Sequence, residues 1–321
     1  FDLVSEHEIS IIGNAGSEEE NFSNASINQI KKPRHFMQET CVVATYMRIM
    51  AKLNLLTGEE KYYERFSSAA LNCFLGSINN EHNCAKDFFK GKTLNTSLPF
   101  DSYSPLVNDY RGVSTGGLQY FKKGGFYGCC ASIGSISIAL MPLTYIIQNS
   151  QTIVFNDYYD NGIINTKDFK AAIKSSYIQN GIVNIKINKN NRSLLFRIPA
   201  WSVNPIVIVD NKKMKAKAGS YLHVNKSAKN ITLNFKPKIQ KRYLNHMAAF
   251  TYGQFTLGID EESNPKLKLE KLTSGKLTLK QIKPIKSSLL SFISNNKLVF
   301  KDYSSLAKNY HKRLTVWIKE R

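Results

Sequence analysis

The first half of the chain carries its hydrophobic residues at helical spacing. Between residues 42 and 56 they recur every three to four positions, which predicts an amphipathic helix. A Thr57-Gly58 pair ends this helix, and two glutamates then begin a second one that extends to about residue 75. A third helix is predicted over about residues 132–148. Residues 1–150 therefore supply about three long helices, too few to close a helical barrel.

From about residue 163 the pattern changes to an alternation of apolar and polar positions. Short β-branched segments are separated by turn signals such as Asp210-Asn211, and this spacing is typical of an antiparallel β-sandwich. The predicted strands are 182–187, 193–198, 206–209 and 231–235, with more over 248–257 and 313–318. We therefore predict a multidomain protein of α and β class, with a helical domain at 1–162 and β-sandwich structure at 163–321.

Charge divides the chain at nearly the same place. The net charge is +20, yet residues 1–160 hold 13 Lys+Arg and 16 Asp+Glu, whereas the remainder holds 31 and 8. The simpler interpretation is that lysines cover solvated strand faces, and the alternative is a β-domain that binds an acidic polymer. Nucleic acid is not the expected partner, because stacking aromatics do not alternate with the lysines.

Targeting signals are sparse. No apolar run is long enough for a membrane span, so we expect no membrane segment. The chain begins with Phe1 and shows no signal peptide, and we expect that upstream sequence is missing. Localisation therefore stays open.

Two cysteine-bearing sites stand out chemically. Glu39-Thr40-Cys41 precedes the first long helix, and Cys129-Cys130 precedes the third, after a loop-rich region at 80–128 whose length is typical of a functional loop. Five cysteines do not suggest a disulfide framework. Zinc takes thiolates and carboxylates in a tetrahedron, and a helix N-terminus favours the thiolate by lowering the pKa of the thiol. The alternative is that each cysteine is a small buried hydrophobic residue.

These motifs resemble glycoside hydrolase family 127, whose members include β-L-arabinofuranosidases. The specific part is the Glu-Thr-Cys lead together with the Cys-Cys pair, and the β-segments are supportive. The remaining matches, in chain order, lie at 13–17 (Gly-Asn-Ala-Gly-Ser), 20–22 (Glu-Asn-Phe), 56–62, 126–130, 196–201, 219–222 and 314–317.

The resemblance implies a partial (α/α)6-barrel followed by a β-sandwich, and a retaining glycosidase that acts on an arabinofuranoside-type glycan. It implies Zn²⁺ held by Glu39, Cys41, Cys129 and Cys130, with Cys129 as the nucleophile. Glu20 would be the acid/base, and Glu18 or Glu19 is the alternative at that position. The histidines that bind sugar in the family have no match here, and we expect the six histidines of this chain to be surface or satisfied polar residues.

Three further hypotheses stay open at this point. The chain can be a catalytically incomplete remnant of the family, or a zinc-stabilised module whose basic β-domain binds a polyanion. A cysteine protease is weaker, because no histidine motif suggests a base for Cys129. Homo-oligomerisation through the β-domain is left open by the sequence.

Overall fold

A computed structural model describes most of the chain. The described residues are 2–16, 20–31, 38–78, 100–101, 103–111, 119–120, 126–127, 129–285, 287–308 and 312–321. Much of the loop-rich region predicted at 80–128 lies outside them, as do Glu18, Glu19, His35, His82 and His311.

Helices are concentrated in the first 145 residues. The described α-helices are α1 Asp2–His7, α2 Ala25–Asn28, α3 Thr40–Thr57, α4 Glu60–Ala69, α5 Leu75–Ser77, α6 Cys129–Ile138, α7 Leu140–Tyr145 and α8 Tyr177–Asn180. A π-helical segment, Ala70–Phe74, joins α4 to α5, and 3-10 turns cover Leu269–Lys271 and Tyr303–Ser305. Among the described residues, no helix has the length and apolar character needed to span a bilayer.

Strands make up most of the rest. In chain order the described strands are β1 Gln38–Glu39, β2 Tyr103–Ser104, β3 Asp109–Tyr110, β4 Gln119–Tyr120, β5 Phe126–Tyr127, β6 Ile146–Gln148, β7 Thr152–Phe155, β8 Gly162–Asn165, β9 Lys170–Ser176, β10 Ile182–Lys189, β11 Ser193–Ile198, β12 Ile206–Val209, β13 Lys212–Met214, β14 Ser220–Val224, β15 Asn230–Asn234, β16 Ile239–Leu244, β17 Met247–Tyr252, β18 Phe255–Asp260, β19 Leu279–Ile282, β20 Ser291–Ser294, β21 Val299–Asp302, β22 Arg313–Thr315 and β23 Ile318–Lys319. The fold class is therefore mixed α and β with mainly antiparallel sheets.

The first two predicted helices are confirmed, and the third needs a correction. It begins at Cys129, turns at Ala139 and ends at Tyr145, and residues 146–148 are strand β6. Pro142 accounts for the turn, because it has no N–H to donate to the carbonyl of Ile138 one helical turn earlier. The partial (α/α)6-barrel and the domain boundary near residue 162 stay predictions.

The chain divides into two compact units. The first unit comprises Phe1–Ile49, Phe66–Ile138 and Ile239–Arg321, and the second comprises Met50–Arg65 and Ala139–Lys238. The boundaries fall inside α3 and α4, so each of these helices contributes residues to both units.

The second unit is built on two sheets around one core. A six-stranded antiparallel sheet has the order β13-β12-β15-β10-β9-β8, and a four-stranded sheet has the order β14-β11-β7-β6 with β7 and β11 parallel. Alternate side chains of both sheets are buried in a shared hydrophobic cluster, among them Val183, Leu233, Phe155 and Phe196. The predicted alternation along these strands is confirmed, since it places one face of each strand in this core.

A buried arginine joins α4 to β11 within the second unit. Arg197 is fully buried, and its guanidinium donates to Glu60 Oε1 at 3.0 Å and Glu64 Oε2 at 2.9 Å. It also donates to the carbonyl of Asn156 at 2.6 Å and lies 3.6 Å from Asp157. Because the charge has partners on several sides, its burial does not leave it uncompensated.

The first unit contains a nine-stranded sheet and the helices that carry the cysteines. The sheet has the order β16-β17-β18-β21-β20-β19, with β23 on β17 and β22 bridging β18 to β3. Its buried residues include Phe250, Leu257, Phe292 and Phe300.

A glycine turn fixes the N-terminal segment on α4. Gly13 has φ of 80°, and a Cβ there would lie 2.6 Å from the backbone nitrogen of Ala69. The carbonyl of Ile12 also accepts the N–H of Cys73 at 3.3 Å. Glycine is required at this position by both the left-handed backbone and the close approach to the helix.

Candidate metal centre

The four residues predicted to bind metal lie where three elements begin or end. Glu39 ends β1, which pairs with β2 in the register Glu39↔Tyr103. Cys41 is the second residue of α3, and Cys129 and Cys130 are the first two residues of α6. The N-terminal ends of both helices, the positive ends of their dipoles, therefore lie at the same group of side chains.

The structure brings these four side chains together. One ligand atom from each lies within 4.8 Å of all the others. Cys41 Sγ is 3.2 Å from Cys129 Sγ and 3.3 Å from Cys130 Sγ, and the two adjacent cysteines have their sulfurs 4.0 Å apart. Glu39 Oε1 lies 3.8 Å from Cys130 Sγ. We call this set the Cys3Glu cluster, and it can hold a metal ion.

Burial differs among the members of the Cys3Glu cluster. Glu39, Cys41 and Cys130 are buried, at 2%, 7% and 2% exposure, whereas Cys129 is partly exposed. Glu39 Oε2 is buried and has no hydrogen-bond partner among the described residues. A buried carboxylate oxygen without a partner is costly, and a cation at this point would satisfy it.

The predicted lowering of thiol pKa is wrong for the cluster without metal. Hydrogen bonding to Cys130, followed by burial, raises the pKa of Cys41, and burial raises the pKa of Cys129. Burial, together with the neighbouring charges of Cys130 and Glu20, raises the pKa of Glu39 to about 8. Desolvation and mutual repulsion outweigh the helix dipoles, which supply only about 0.3–1 kcal/mol each. The cluster therefore needs added positive charge if all four groups are to be ionised.

Backbone contacts hold the start of α3 in place. Asn14 Nδ2 donates to the carbonyl of Glu39 at 3.2 Å, and Thr40 Oγ1 donates to the carbonyl of Asp101 at 2.5 Å. Asp101 N–H in turn donates to the carbonyl of Ser77 at 2.8 Å. The turn that contains Asn14 is visible in the sequence, but nothing in its spacing indicates a partner 25 residues away.

A glycine in α6 fixes the approach of the cysteine pair. A Cβ at Gly134 would lie 2.9 Å from three ring atoms of Phe100. Phe100 is buried, and its ring centroid lies 5.7 Å from that of Phe74. Gly134 lies one helical turn after Cys130. The close packing of Gly134 on Phe100 therefore helps to position the helix that carries both cysteines. An isolated glycine in a predicted helix was the available signal.

A pocket of about 380 Å³ opens beside the cluster, within the first unit. Glu20 and Cys41 line it together with mainly apolar side chains, which are Val4, Ala15, Phe22, Val42, Thr45, Tyr46, Ile49 and Ile133. Glu20 is exposed. The segment that follows it is fixed by Glu8, whose carboxylate accepts the backbone N–H groups of Ser23, Asn24 and Ala25 at 3.0–3.2 Å.

Known structures share this fold. A family 127 β-arabinofuranosidase matches with a TM-score of 0.75 at 15% identity, over 100% of this chain and 55% of its own. A glycoside hydrolase matches with a TM-score of 0.72 at 15% identity, over 98% and 60%. A family 127 β-L-arabinofuranosidase from Geobacillus stearothermophilus T6 matches with a TM-score of 0.71 at 14% identity, over 99% and 55%.

At these identities the comparison establishes the fold, and the resemblance seen in the sequence is confirmed at that level. The chain spans 55–60% of the length of these structures. No protein-family model matches the chain, and no curated protein matches it by sequence.

The described histidines are surface residues. His7, His223 and His246 are all exposed, as expected for surface residues. His223 is on β14 in the second unit, and the carbonyl of His246 accepts the N–H of Glu320 at 2.9 Å. None of the three belongs to the Cys3Glu cluster.

Proposed function

We propose that this chain is a zinc-dependent glycoside hydrolase of the family 127 type, with its reaction centre at the Cys3Glu cluster. The observation that carries the proposal is the convergence of three thiols and one carboxylate within 4.8 Å. That convergence occurs on a fold shared with glycoside hydrolases over 98–100% of this chain. Family membership and the partial (α/α)6-barrel belong to the same proposal.

The donor set fits zinc. Zinc–sulfur bonds of about 2.3 Å in a tetrahedron place sulfurs about 3.8 Å apart. The three sulfur separations here are 3.2, 3.3 and 4.0 Å, so small shifts bring all three to that distance. Glu39 would supply the fourth ligand through a carboxylate that already lies beside Cys130. When bound, zinc would supply the positive charge that keeps the thiols deprotonated at neutral pH.

Cys129 is the best candidate for the nucleophile. It is the partly exposed thiol of the cluster, whereas Cys41 and Cys130 are buried. A sugar can therefore reach its sulfur without disturbing the other ligands. In the first step Cys129 Sγ forms a bond to the anomeric carbon as the bond from that carbon to the leaving oxygen breaks.

Glu20 is the candidate acid/base. Glu20 lines the pocket that Cys41 also lines, and its charge is close enough to raise the pKa of Glu39. It would give its proton to the leaving oxygen in the first step. In the second step it would take a proton from water, whose oxygen displaces Cys129 from the anomeric carbon. This two-step course retains the anomeric configuration.

The proposed substrate is a β-L-arabinofuranoside, by analogy with the family 127 enzymes of this fold. Because the chain spans little more than half of their length, a catalytically incomplete remnant is the second candidate. The open pocket with exposed Phe22 and Ile49, at 61% and 47% exposure, favours that candidate. Such a remnant would retain the metal site and lose turnover.

The first experiment measures zinc in the purified chain by elemental analysis. About one zinc per chain is expected for the wild type, and Cys41→Ala should lose it because Cys41 contacts both other sulfurs. Cys73→Ala is the matched control, since Cys73 is a buried free thiol outside the cluster. A folded wild-type chain that takes up no zinc, or equal zinc in Cys41→Ala and wild type, would overturn the metal site.

The second experiment measures hydrolysis of 4-nitrophenyl β-L-arabinofuranoside. Cys129→Ser and Glu20→Gln should each abolish release of nitrophenol. Glu6→Gln, which changes an exposed glutamate on α1, should leave the rate unchanged. Proton NMR of the first-formed sugar should show the retained anomer. Zinc uptake without hydrolysis by the wild type would identify the remnant.

A further inference from the structure

The outer face of the six-stranded sheet collects positive charge. On β9 and β10 the side chains alternate between the core and solvent, and the exposed positions include Lys170, Lys174 and Lys186. Lys189, also exposed, ends β10, and Lys213 of β13 lies opposite the exposed Ile208 at the far side. Strand pairing, and not spacing along the chain, brings these lysines together.

Register places some of these lysines against one another. Lys170 is directly opposite Lys189, a like-charge cross-strand pair that destabilises a sheet on its own. Lys174 is opposite Asn184, two positions from Lys186, so these two lysines are diagonal neighbours at about 7–8 Å. The arrangement concentrates charge along the β9–β10 pair.

Acidic residues do not neutralise this face. Residues 162–238 hold 15 Lys+Arg and two acids, Asp168 and Asp210. Asp210 does not pair with these lysines, because its carboxylate accepts the backbone N–H groups of Lys229 and Asn230 at 2.8–3.2 Å. Asp168 lies in the exposed turn before β9. No ion pair joins an acid to a lysine of β9, β10 or β13, all of whose residues the structure describes.

Hydrogen-bonding side chains fill the spaces between the lysines. Asn184 of β10 and Asn230 and Thr232 of β15 are among the outward residues, and Thr232 Oγ1 donates to Asn184 Oδ1 at 2.9 Å. The outward positions of the six strands, all within the described part of the chain, hold no aromatic residue. Sequence-tolerant binding of single-stranded nucleic acid uses aromatic stacking, so this surface is poorly suited to that partner.

We propose that this outer face, the lysine face, binds an acidic polysaccharide of the polyuronate class. A polyuronate carries one carboxylate on each sugar, which suits successive lysines, and hydroxyls that suit the asparagine and threonine side chains between them. Attraction between the lysines and the carboxylates of a bound polyuronate would offset the repulsion within the Lys170–Lys189 pair. Binding here would hold the chain on an acidic cell-wall or mucilage-type glycan, and it does not depend on the reaction proposed for the Cys3Glu cluster.

The test measures binding of the whole chain to polygalacturonate, by affinity electrophoresis and by calorimetry at 50 and 200 mM NaCl. The face variant carries Lys170→Gln, Lys174→Gln, Lys186→Gln and Lys189→Gln. The matched control carries Lys266→Gln, Lys271→Gln, Lys276→Gln and Lys280→Gln, four exposed lysines of the first unit, so both variants lose the same charge. Far-UV circular dichroism checks that both remain folded.

We expect Kd for polygalacturonate to rise at least about tenfold in the face variant and less than about threefold in the control. Wild-type binding should weaken at the higher salt, since exposed charges are screened within about 10 Å at 0.1 M. Equal weakening in both variants would show attraction by net charge alone and overturn the lysine face. Absence of binding, or tighter binding to duplex DNA than to polygalacturonate at equal salt, would overturn the polyuronate assignment.

Discussion

Replacing Gly134 by alanine tests how the fold positions the cysteine pair. The new Cβ would lie 2.9 Å from three ring atoms of Phe100, whereas carbon atoms in good contact are about 3.5–4.0 Å apart. Overpacking costs about 1–3 kcal/mol. The new Cβ would be too close to three ring atoms at once, and the ring already packs against Phe74, with centroids 5.7 Å apart. We therefore expect this contact to cost about 2–3 kcal/mol of stability. The higher helix propensity of alanine returns about 1 kcal/mol, so we expect a net loss of about 1–2 kcal/mol.

The assay follows unfolding in urea by circular dichroism, with zinc affinity measured by competition against a chelator dye. We expect Gly134→Ala to lower the free energy of unfolding and to weaken zinc binding several-fold, because Cys130 lies one turn away on the same helix. Ser135→Ala, at an exposed neighbouring position of α6, should change neither property.

The refuting result comes from the double variant. With Phe100→Ala all three contacting ring atoms are removed, so adding Gly134→Ala to that background should stabilise the chain through helix propensity alone. If Gly134→Ala has the same effect with and without Phe100→Ala, the contact between Gly134 and Phe100 does not set the position of α6.

Two further predictions concern polar contacts. Asn14→Ala removes the side-chain hydrogen bond to the buried carbonyl of Glu39, so the free energy of unfolding should fall by about 0.5–1.5 kcal/mol. Zinc titration should also show weaker uptake, and unchanged values for both would contradict the role given to Asn14. Burial alone would raise the pKa of Asp260, but Lys301 at 2.8 Å and the N–H of Ala307 hold that pKa below its ordinary value. A carboxylate with a lowered folded-state pKa adds stability that is present above its unfolded pKa of about 3.9 and is lost as pH falls further. The urea midpoint of the wild type should therefore fall more steeply below about pH 4 than that of Asp260→Asn, and parallel curves would refute this.

Local patterns in the sequence predicted many of the helices and strands, and they selected the four residues that converge in the Cys3Glu cluster. Hydrophobic residues at helical spacing predicted α3 and α4. The alternation of apolar and polar residues predicted β10, β11, β12 and β15. Glu39, Cys41 and the cysteine pair could be selected because the chemistry of their side chains is distinctive and because they lie at or next to the starts of predicted helices. Pro142 could have moved the end of the third helix, since its missing N–H is visible in the sequence.

Features that depend on tertiary contacts could not be predicted in the same way. The contact of Phe100 with Gly134, and that of Asn14 with Glu39, join residues 34 and 25 positions apart, and no local period encodes them. The Lys170–Lys189 pair depends on a register shift between Ile187 and Lys189. The pKa of the thiols was predicted with the wrong sign because burial of the whole cluster, and not the helix end alone, decides it.

The order in which the two units are synthesised has a consequence for the cysteines. The first unit includes β3, which pairs with β22, so Asp109 meets its partner Leu314 only after the whole second unit has left the ribosome. Protein synthesis adds about 5–20 residues per second, so the roughly 185 residues from Cys130 to Thr315 take about 10–40 s to make. During that interval the second unit can complete its core while the three thiols lack their finished surroundings. We therefore expect newly made chains to be most vulnerable to oxidation and mispaired disulfides at this stage, and metal loading to follow the synthesis of β22.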